Sequence, residues 1–299
     1  MTRKRPLLIV ITGPTASGKT TFSIDVALAT GAEIINCDSR QFYRGMDIGT
    51  AKPTSRELNQ VKHHFIDIIN PDQAYSAGAF ADDVVQFLSG YFQSNQVAIL
   101  CGGSGLYARS VYHGLANIPP APAEIRAKWN TILANYGVKA LAEHVLKTDP
   151  EAAEHMDMDN PQRLQRALEV WDLTGKLPYQ HGQNPIPRPF DIFHLSLAPP
   201  RSLLYDKINQ RVDIMMDMGL IDEAKALRPY RHCNALKTVG YKELFEHFDG
   251  KTSLQTAIEK IKQHTRNFAK RQYTWFRREP VDLYQTVPDR DALLKALNL

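Results

Sequence analysis

A phosphate-binding loop near the amino terminus constrains the fold more than any other feature of this sequence. Eight residues fit the pattern GxxxxGK[ST]: Gly13, Pro14, Thr15, Ala16, Ser17, Gly18, Lys19 and Thr20. The loop directly follows an apolar segment, residues 7–12, and directly precedes a helical pattern. Its glycines let backbone amides turn toward phosphate oxygens, and the start of the helix favours negative charge. The sequence therefore predicts a strand, a phosphate-binding loop and a helix, in that order.

Lys19 and Thr20 indicate what this loop binds. A lysine at this position neutralises phosphate charge, and the threonine hydroxyl is suited to Mg²⁺. We therefore predict a di- or triphosphate site, compatible with ATP, with Mg²⁺ as cofactor. An ATPase site is normally completed by an apolar strand that ends in Asp. The later strand-like segments do not supply one, because residues 97–101 run into Gly-Gly and residues 192–198 into Pro-Pro.

Strand-like segments alternate with helical patterns through the first hundred residues. Apolar and β-branched residues are concentrated in five segments: 7–12, 33–37, 63–69, 97–101 and 192–198. Such alternation favours a mostly parallel sheet covered by helices. Together with the loop, it predicts an α/β fold, namely a P-loop NTPase-like parallel sheet flanked by helices.

Two proline clusters, at 119–122 and 185–189, bound a stretch with helical patterns and no strand signal. One helix in it is well marked, with Asn160 as cap, Pro161 at the first helical position and Gly175 at the end. We predict a core domain, 1–118 and 190–299, with a small all-helical insertion domain at 119–189. The carboxy-terminal part of the core domain is predicted to be helical, over 205–227 with Gly219 as a break, and over 252–276.

Asp38 is the clearest acidic residue at a strand end. In a parallel sheet the functional residues lie just past the carboxyl ends of the strands, on the same edge as the phosphate loop. From its position alone, Asp38 is a metal ligand, a general base or a cap of the following turn. Ser104, within Gly102-Gly103-Ser104-Gly105, brings a hydroxyl to the same edge or belongs only to a tight turn.

Seven sequence blocks in this order together resemble the bacterial tRNA dimethylallyltransferases. They begin at Gly13 (GPTASGKT), Asp38 (DSRQFY), Asp47 (DIGTAKP), Gly102 (GGSGLY), Gln162 (QRLQRA), Gly240 (GYKE) and Arg271 (RQYTWFR). The resemblance implies a transferase that moves a dimethylallyl group from dimethylallyl diphosphate to N6 of the adenosine at tRNA position 37, beside the anticodon. It also accounts for the missing ATPase carboxylate, since the loop then holds the diphosphate leaving group.

The resemblance implies a role for each matched residue. Asp38 is the base that takes a proton from the adenine amine, while Lys19 and Mg²⁺ on Thr20 stabilise the departing diphosphate. Ser104 stands where the family usually has Thr and keeps the hydroxyl. Lys128 is an alternative to Arg126 for one RNA contact. The residues implied to contact tRNA are Asp38, Ser39, Arg40, Gln41, Ser104, Arg126, Gln162, Arg163, Leu164, Gln165, Arg166 and Arg271.

The segment 259–278 combines basic and aromatic residues. Its cations are Lys260, Lys262, Arg266, Lys270, Arg271, Arg277 and Arg278, against a single acid, and four aromatic residues lie among them. Cations and aromatic rings together suit the backbone and the unpaired bases of RNA. Phe268 and Trp275 share a helical face, so part of this aromatic set is expected in the core.

Two other functions stay open from the residues alone. One is a kinase that uses ATP on the same loop, which the missing carboxylate opposes. The other is a non-catalytic RNA-binding protein with a nucleotide switch, which does not need Asp38.

Composition excludes disorder, with 43% hydrophobic and 23% charged residues. The sequence has no apolar run of membrane length and three widely spaced cysteines, so we expect a cytoplasmic protein. The resemblance implies that its partners are the tRNA anticodon loop and dimethylallyl diphosphate, and we expect a monomer.

Overall fold

The computed structural model describes residues 5–116, 118–181, 185–287 and 289–299. The chain forms two compact units: a core unit, Met1–Gly114 with Pro187–Leu299, and a helical unit, Leu115–Ile186. The sequence-based boundaries were 118/119 and 189/190. Residues 1–4, 117 and 288 of the predicted core domain, and residues 182–184 of the predicted insertion, lie outside the described residues.

A parallel sheet of six strands forms the centre of the core unit. The strands are β1 (Leu7–Thr12), β2 (Ile34–Asn36), β3 (His63–His64), β4 (Val97–Gly102), β5 (Asp191–Leu197) and β6 (Leu283–Gln285). Their order in the sheet is β3-β2-β4-β1-β5-β6, and every neighbouring pair is parallel. β1 and β4 are buried along their whole length, as strands covered on both faces must be. The predicted α/β class is confirmed.

Helices cover both faces of this sheet. The helices of the core unit, not all of which touch the sheet, are α1 (Lys19–Thr30), α2 (Ser55–Leu58), α3 (Ala77–Tyr91), α4 (Gly105–Tyr112), α8 (Arg201–Asp217), α9 (Leu220–Ala226), α10 (Tyr241–Phe248), α11 (Leu254–Phe276) and α12 (Arg290–Leu297), with 3-10 turns at Arg228–Tyr230 and Asn234–Leu236. Alternate residues of β1 point to opposite faces. Ile9 therefore packs with Phe22 of α1, and Val10 packs with Phe80 of α3.

Two strands differ from the sequence-based prediction. β3 is far shorter than the predicted 63–69, because Phe65 and Asp67 have positive φ angles of 61° and 55° and turn the chain out of the extended conformation. β6 was not predicted. It is three residues long, too short for an alternating pattern, and it is defined by its pairing with β5. The predicted break at Gly219 is confirmed, since its φ of 101° separates α8 from α9.

The helical unit contains α5 (Ala123–Thr148), α6 (Ala152–His155), α7 (Pro161–Thr174) and a 3-10 turn at Pro178–Gln180. α7 begins and ends as predicted: Asn160 Oδ1 accepts the N–H of Arg163 at 3.1 Å, and Gly175 ends the helix with a φ of 68°. Its buried face, with Leu164 and Leu168, packs in a small apolar core. In neither unit does a described helix have both the length and the apolar character that a membrane span requires.

Candidate active site

Three loops meet at the carboxyl edge of the sheet. The phosphate loop follows β1, the segment that begins with Asp38 follows β2, and the segment that contains Ser104 follows β4. Because β4 lies between β2 and β1, the three loops are side by side. A cavity of about 780 Å³ opens at this edge, and its lining includes Thr15 to Thr21, Asp38 and Gly103. The structure thus brings Lys19, Thr20 and Asp38 to one cavity.

The phosphate loop has the backbone conformation that anion binding needs. Gly13, Ala16 and Gly18 have φ angles of 146°, 62° and 88°, and such left-handed positions are typical of turns that bind anions through backbone N–H groups. A Cβ on Gly13 would lie 2.6 Å from the carbonyl oxygen of Leu197, so only glycine fits there. Among the described residues, the buried Oγ of Ser17 has no hydrogen-bond partner. A phosphate oxygen satisfies such a hydroxyl, whose isolation otherwise costs stability.

Lys19 and Arg211 are two of the cationic side chains that line this cavity. Lys19 Nζ donates to the carbonyl of Pro14 at 2.7 Å. Burial lowers the pKa of Lys19, an effect that the neighbouring Cys101 and Asp38 oppose. Arg211 on α8 also lines the cavity, and burial lowers its pKa as well. Two positive groups at the loop suit a diphosphate better than a single phosphate.

Arg211 was missed in the sequence analysis. Residues 205–227 were interpreted through their apolar spacing, which locates the buried face of α8 but gives no role to its polar face. The sequence signal for Arg211 is its spacing from Lys207: the two cations are four residues apart and therefore lie on one side of the helix. Both line the cavity.

Asp38 faces the cavity as a half-buried carboxylate. Its Oδ1 accepts the N–H of Arg40 at 3.0 Å, and its own N–H donates to Asn36 Oδ1 at 3.2 Å. Burial raises the pKa of Asp38, while the Arg40 amide and the charge of Lys19 oppose this rise. A carboxyl group with a raised pKa in a cleft is suited to proton transfer. Asp38 also caps the turn, so the base and the cap are compatible roles for this residue.

Ser104 is engaged with the segment that carries Asp38. Its Oγ accepts the N–H of Ser39 at 2.9 Å and donates to the Oγ of Ser39 at 3.0 Å. The hydroxyl therefore joins the loop after β4 to the residue that follows Asp38.

The side chains of Arg40 and Gln41 are held by backbone carbonyls. Arg40 donates to the carbonyl of Asn234 at 2.8 Å, and Gln41 donates to the carbonyls of Thr50 and Ala51, each at 3.0 Å. In this structure both residues stabilise the walls of the site. Direct contact of either side chain with RNA stays a prediction.

Glu223 on α9 holds the loop that forms another wall of the cavity. Its carboxylate accepts the N–H groups of Asp47 at 3.0 Å, Ile48 at 2.7 Å and Gly49 at 2.9 Å, and the hydroxyl of Tyr241 at 2.7 Å. A Cβ on Gly49 would lie 2.6 Å from the ring of Tyr241. The sequence matched this loop only by resemblance and did not identify Glu223, because its partners lie far away along the chain.

The basic segment separates into two parts, which lie on α11 and on the two residues that follow it. In the first half the cations have partners: Lys260 pairs with Glu246 at 3.1 Å and Lys262 pairs with Asp213 at 2.7 Å. The cations of the second half are exposed; they are Lys270, Arg271, Arg277 and Arg278. These four residues are called the α11 basic surface below.

The aromatic residues of α11 correct one prediction. Arg271 lies over the ring of Phe268, 5.7 Å from its centroid, and Phe268 is 40% exposed. The expected core position of Phe268 is therefore wrong. Trp275, on the same predicted face, is half-buried with its Nε1 inside the protein, and Phe276 is 3% exposed, so part of the aromatic set does lie in the core. An exposed ring with an arginine over it belongs to the α11 surface and not to the packing.

In the helical unit, two of the predicted RNA-binding arginines share a buried acid. Arg126 lies 3.4 Å and Arg166 3.5 Å from the carboxylate of Glu169, which is 4% exposed. Lys128, the alternative to Arg126, pairs with Asp172 at 2.8 Å. These cations therefore also serve the structure of the unit.

The remaining predicted positions on α7 differ in exposure. Gln162 and Arg163 are exposed. Gln165 donates to Asn130 Oδ1 at 2.8 Å. The side chain of Leu164 is completely buried in the core of the unit. In this structure the Leu164 side chain belongs to the packed stripe of α7 and does not reach the surface. Contact of this position with tRNA stays a prediction.

Comparison with known proteins gives one family. A family model described as IPP transferase matches residues 41–279. A tRNA dimethylallyltransferase of Christiangramia forsetii is 48% identical over 275 residues, which is 91% of each chain. A tRNA dimethylallyltransferase of Flavobacterium johnsoniae is 41% identical over 296 residues, which is 96% of each chain.

Solved structures show the same similarity. The full-length tRNA isopentenylpyrophosphate transferase of Bacillus halodurans has a TM-score of 0.70 at 38% identity, and the match covers 98% of this chain and 94% of that one. A eukaryotic dimethylallyltransferase acting on tRNA has a TM-score of 0.81 at 24% identity, covering 98% of this chain and 79% of that one. This second match, at 24% identity, shows that the two chains share a fold.

Proposed function

The chain belongs to the IPP transferase family, and we infer that it is a tRNA dimethylallyltransferase. It transfers a dimethylallyl group from dimethylallyl diphosphate to N6 of adenosine 37 in tRNA and releases diphosphate. The observation that carries this function is the position of Lys19 and Asp38, a phosphate-binding cation and a carboxylate, in one cavity. The relatives support the transferase and give no support to the kinase or the nucleotide switch.

The donor end of the proposed site is the phosphate loop. Backbone amides of this loop, the Ser17 hydroxyl, Lys19 and Arg211 would bind the diphosphate. These groups stabilise the negative charge that grows on the leaving oxygen as its bond to carbon breaks. The oxygen chemistry of Thr20 and of a diphosphate fits Mg²⁺. When bound, the ion adds positive charge at the leaving group.

The acceptor end of the proposed site is Asp38. The adenine amine is a weak nucleophile, because its lone pair is delocalised into the ring. As the nitrogen forms its bond to the allylic carbon, Asp38 takes the proton from that nitrogen and the diphosphate departs with the electron pair of the broken C–O bond. The raised pKa of Asp38 supports this assignment, since it makes the carboxylate a better proton acceptor.

RNA recognition is assigned to two surfaces, one in each unit. The α11 basic surface carries exposed cations beside an exposed ring, which suits backbone phosphates and unpaired bases. In the helical unit, Arg163 is exposed. A loop adenosine suits this site, because unstacking a base costs less in a loop than in a duplex. The proposal includes a monomer that acts in the cytoplasm on the anticodon loop.

The test is incubation with dimethylallyl diphosphate, Mg²⁺ and tRNA that lacks the modification, with ATP replacing the prenyl donor in a parallel reaction. We expect RNA-dependent release of diphosphate and a gain of one dimethylallyl group on an adenosine, detected by mass spectrometry of the digested tRNA. Transfer of phosphate from ATP, or tight RNA binding without turnover, would contradict the proposal.

A further inference from the structure

Gln272 on α11 forms hydrogen bonds with two loops of the site at once. Its Oε1 accepts the N–H of Thr15 in the phosphate loop at 2.9 Å. Its Nε2 donates to the carbonyl of Gly103, next to Ser104, at 2.8 Å. The side chain is nearly buried, with 7% of the residue exposed, and it lines the cavity.

These partners fix the orientation of the Gln272 amide. A backbone N–H can only donate and a backbone carbonyl can only accept, so the amide oxygen faces Thr15 and the nitrogen faces Gly103. Glutamate lacks the donor, and methionine of similar length lacks both groups. Asparagine is one methylene shorter. Glutamine is therefore the side chain whose length and polarity match this position.

The loop after β4 is closely packed against the same face of α11. A Cβ on Gly103 would lie 2.5 Å from Nε2 of Gln272, and a Cβ on Gly105 would overlap Nε1 of Trp275. Gln272 and Trp275 are three residues apart and share one side of the helix. The glycines on both sides of Ser104 thus leave space for side chains of α11.

We propose that Gln272 is a positioning residue that fixes the phosphate loop relative to the loop of Ser104. The inference rests on the proposed function and adds a residue to it. The phosphate loop holds the diphosphate, and Ser104 holds the segment of Asp38. The Gln272 amide therefore connects the donor end of the site to the end that carries the base, through its bonds to the backbone of Thr15 and Gly103.

The first test is Gln272→Met, with Gln255→Met as a matched control on the exposed part of the same helix. We expect Gln272→Met to weaken binding of inorganic diphosphate about tenfold and to lower kcat about tenfold, because two buried backbone groups lose their partner. Affinity for tRNA should stay within about twofold. The control should match the wild type in all three measurements.

A second variant covers the case in which Gln272→Met does not fold. Gly103→Ala keeps Gln272 but places a methyl group against its amide, so diphosphate binding and kcat should fall in the same way. Gly103 has no positive φ, and its backbone tolerates alanine. Wild-type diphosphate affinity and kcat in either folded variant would overturn the inference, as would an equal loss of tRNA affinity.

The direct diphosphate measurement separates this inference from the proposed function. If the wild type does not prenylate tRNA, the proposed function fails, while the effect of Gln272 on diphosphate binding is still measurable by calorimetry. If the wild type prenylates tRNA but Gln272→Met binds diphosphate normally, only the role of Gln272 fails.

Discussion

The N–H of Ser39 donates a hydrogen bond to Oγ of Ser104 at 2.9 Å, which ties the loop after β4 to the residue that follows Asp38. The backbone at Asp38 is also held by Asn36 Oδ1, which accepts its N–H at 3.2 Å. The carboxylate thus extends from a short segment fixed on both sides. This arrangement gives Ser104 a role in placing the base, in addition to any contact with the substrate.

We predict that Ser104→Ala lowers kcat about tenfold, because the Ser39 N–H loses its acceptor and the carboxylate of Asp38 loses part of its fixed position. Ser104→Thr keeps the hydroxyl and should stay within about threefold of the wild type. Steady-state kinetics with saturating dimethylallyl diphosphate measures both. Ser94→Ala, an exposed serine, is the control. A wild-type kcat in Ser104→Ala would show that this hydrogen bond has no catalytic consequence.

Asp38→Asn should reduce turnover about a hundredfold or more, the usual size for a lost general base. Asn keeps an oxygen for the Arg40 N–H, so the fold and the binding of tRNA and diphosphate should be retained. Single-turnover rates and separate binding assays test this. An Asn variant with the wild-type rate would end the assignment of Asp38 as the base.

The pH dependence gives an independent check of Asp38. Because burial raises its pKa above the ordinary value of 3.8, the fraction of the carboxylate form, and with it kcat, should fall as the pH is lowered through this raised pKa. The decrease should be absent from the residual activity of Asp38→Asn. A wild-type profile without this acid limb would contradict the proposed proton transfer.

Arg211→Gln should raise KM for dimethylallyl diphosphate about tenfold to a hundredfold, because a charged partner of the diphosphate is removed. kcat should fall as well, since the same charge stabilises the leaving group. Affinity for tRNA should change little. Arg290→Gln on α12, an arginine that pairs with Asp291, serves as the control. Unchanged KM and kcat would exclude Arg211 from the diphosphate site.

The parts of the fold and of the site that the residues alone predict are those with a local cause, whereas the roles of Asp38 and Ser104 came from the family resemblance. The phosphate loop needs glycines and a following helix, and Asn160 and Gly175 mark the ends of α7 through their own caps. Such signals lie within a few residues of the feature that they define. They therefore appear in a single sequence without knowledge of the fold.

The parts that it missed depend on contacts between distant residues. Gln272 reaches Thr15 across 257 positions and Glu223 reaches Ile48 across 175 positions. Glutamine and glutamate are both common on helix surfaces, so the residue type alone does not indicate a role for Gln272 or Glu223. Their roles follow only from the packing of α9 and α11 against the loops. β6 is similar, because three residues become a strand only through pairing with β5.

Substitution of both Arg163 and Arg166 by Gln should weaken tRNA affinity and flatten its salt dependence, by about one unit of slope or less for each phosphate that the protein no longer neutralises. The two arginines are not equivalent in the structure: Arg166 lies 3.5 Å from the buried carboxylate of Glu169, whereas Arg163 is exposed on the same helix. Arg163→Gln alone should therefore account for most of the change in slope. Arg166→Gln should also lower the melting temperature of the protein, because the buried carboxylate of Glu169 loses a partner. Binding to fluorescent tRNA at several salt concentrations measures the slope, and Lys139→Gln, an exposed lysine of the same unit, is the control. If the slope of the double variant equals that of the wild type, these arginines do not bind RNA phosphates, and their part of the proposed RNA recognition is wrong.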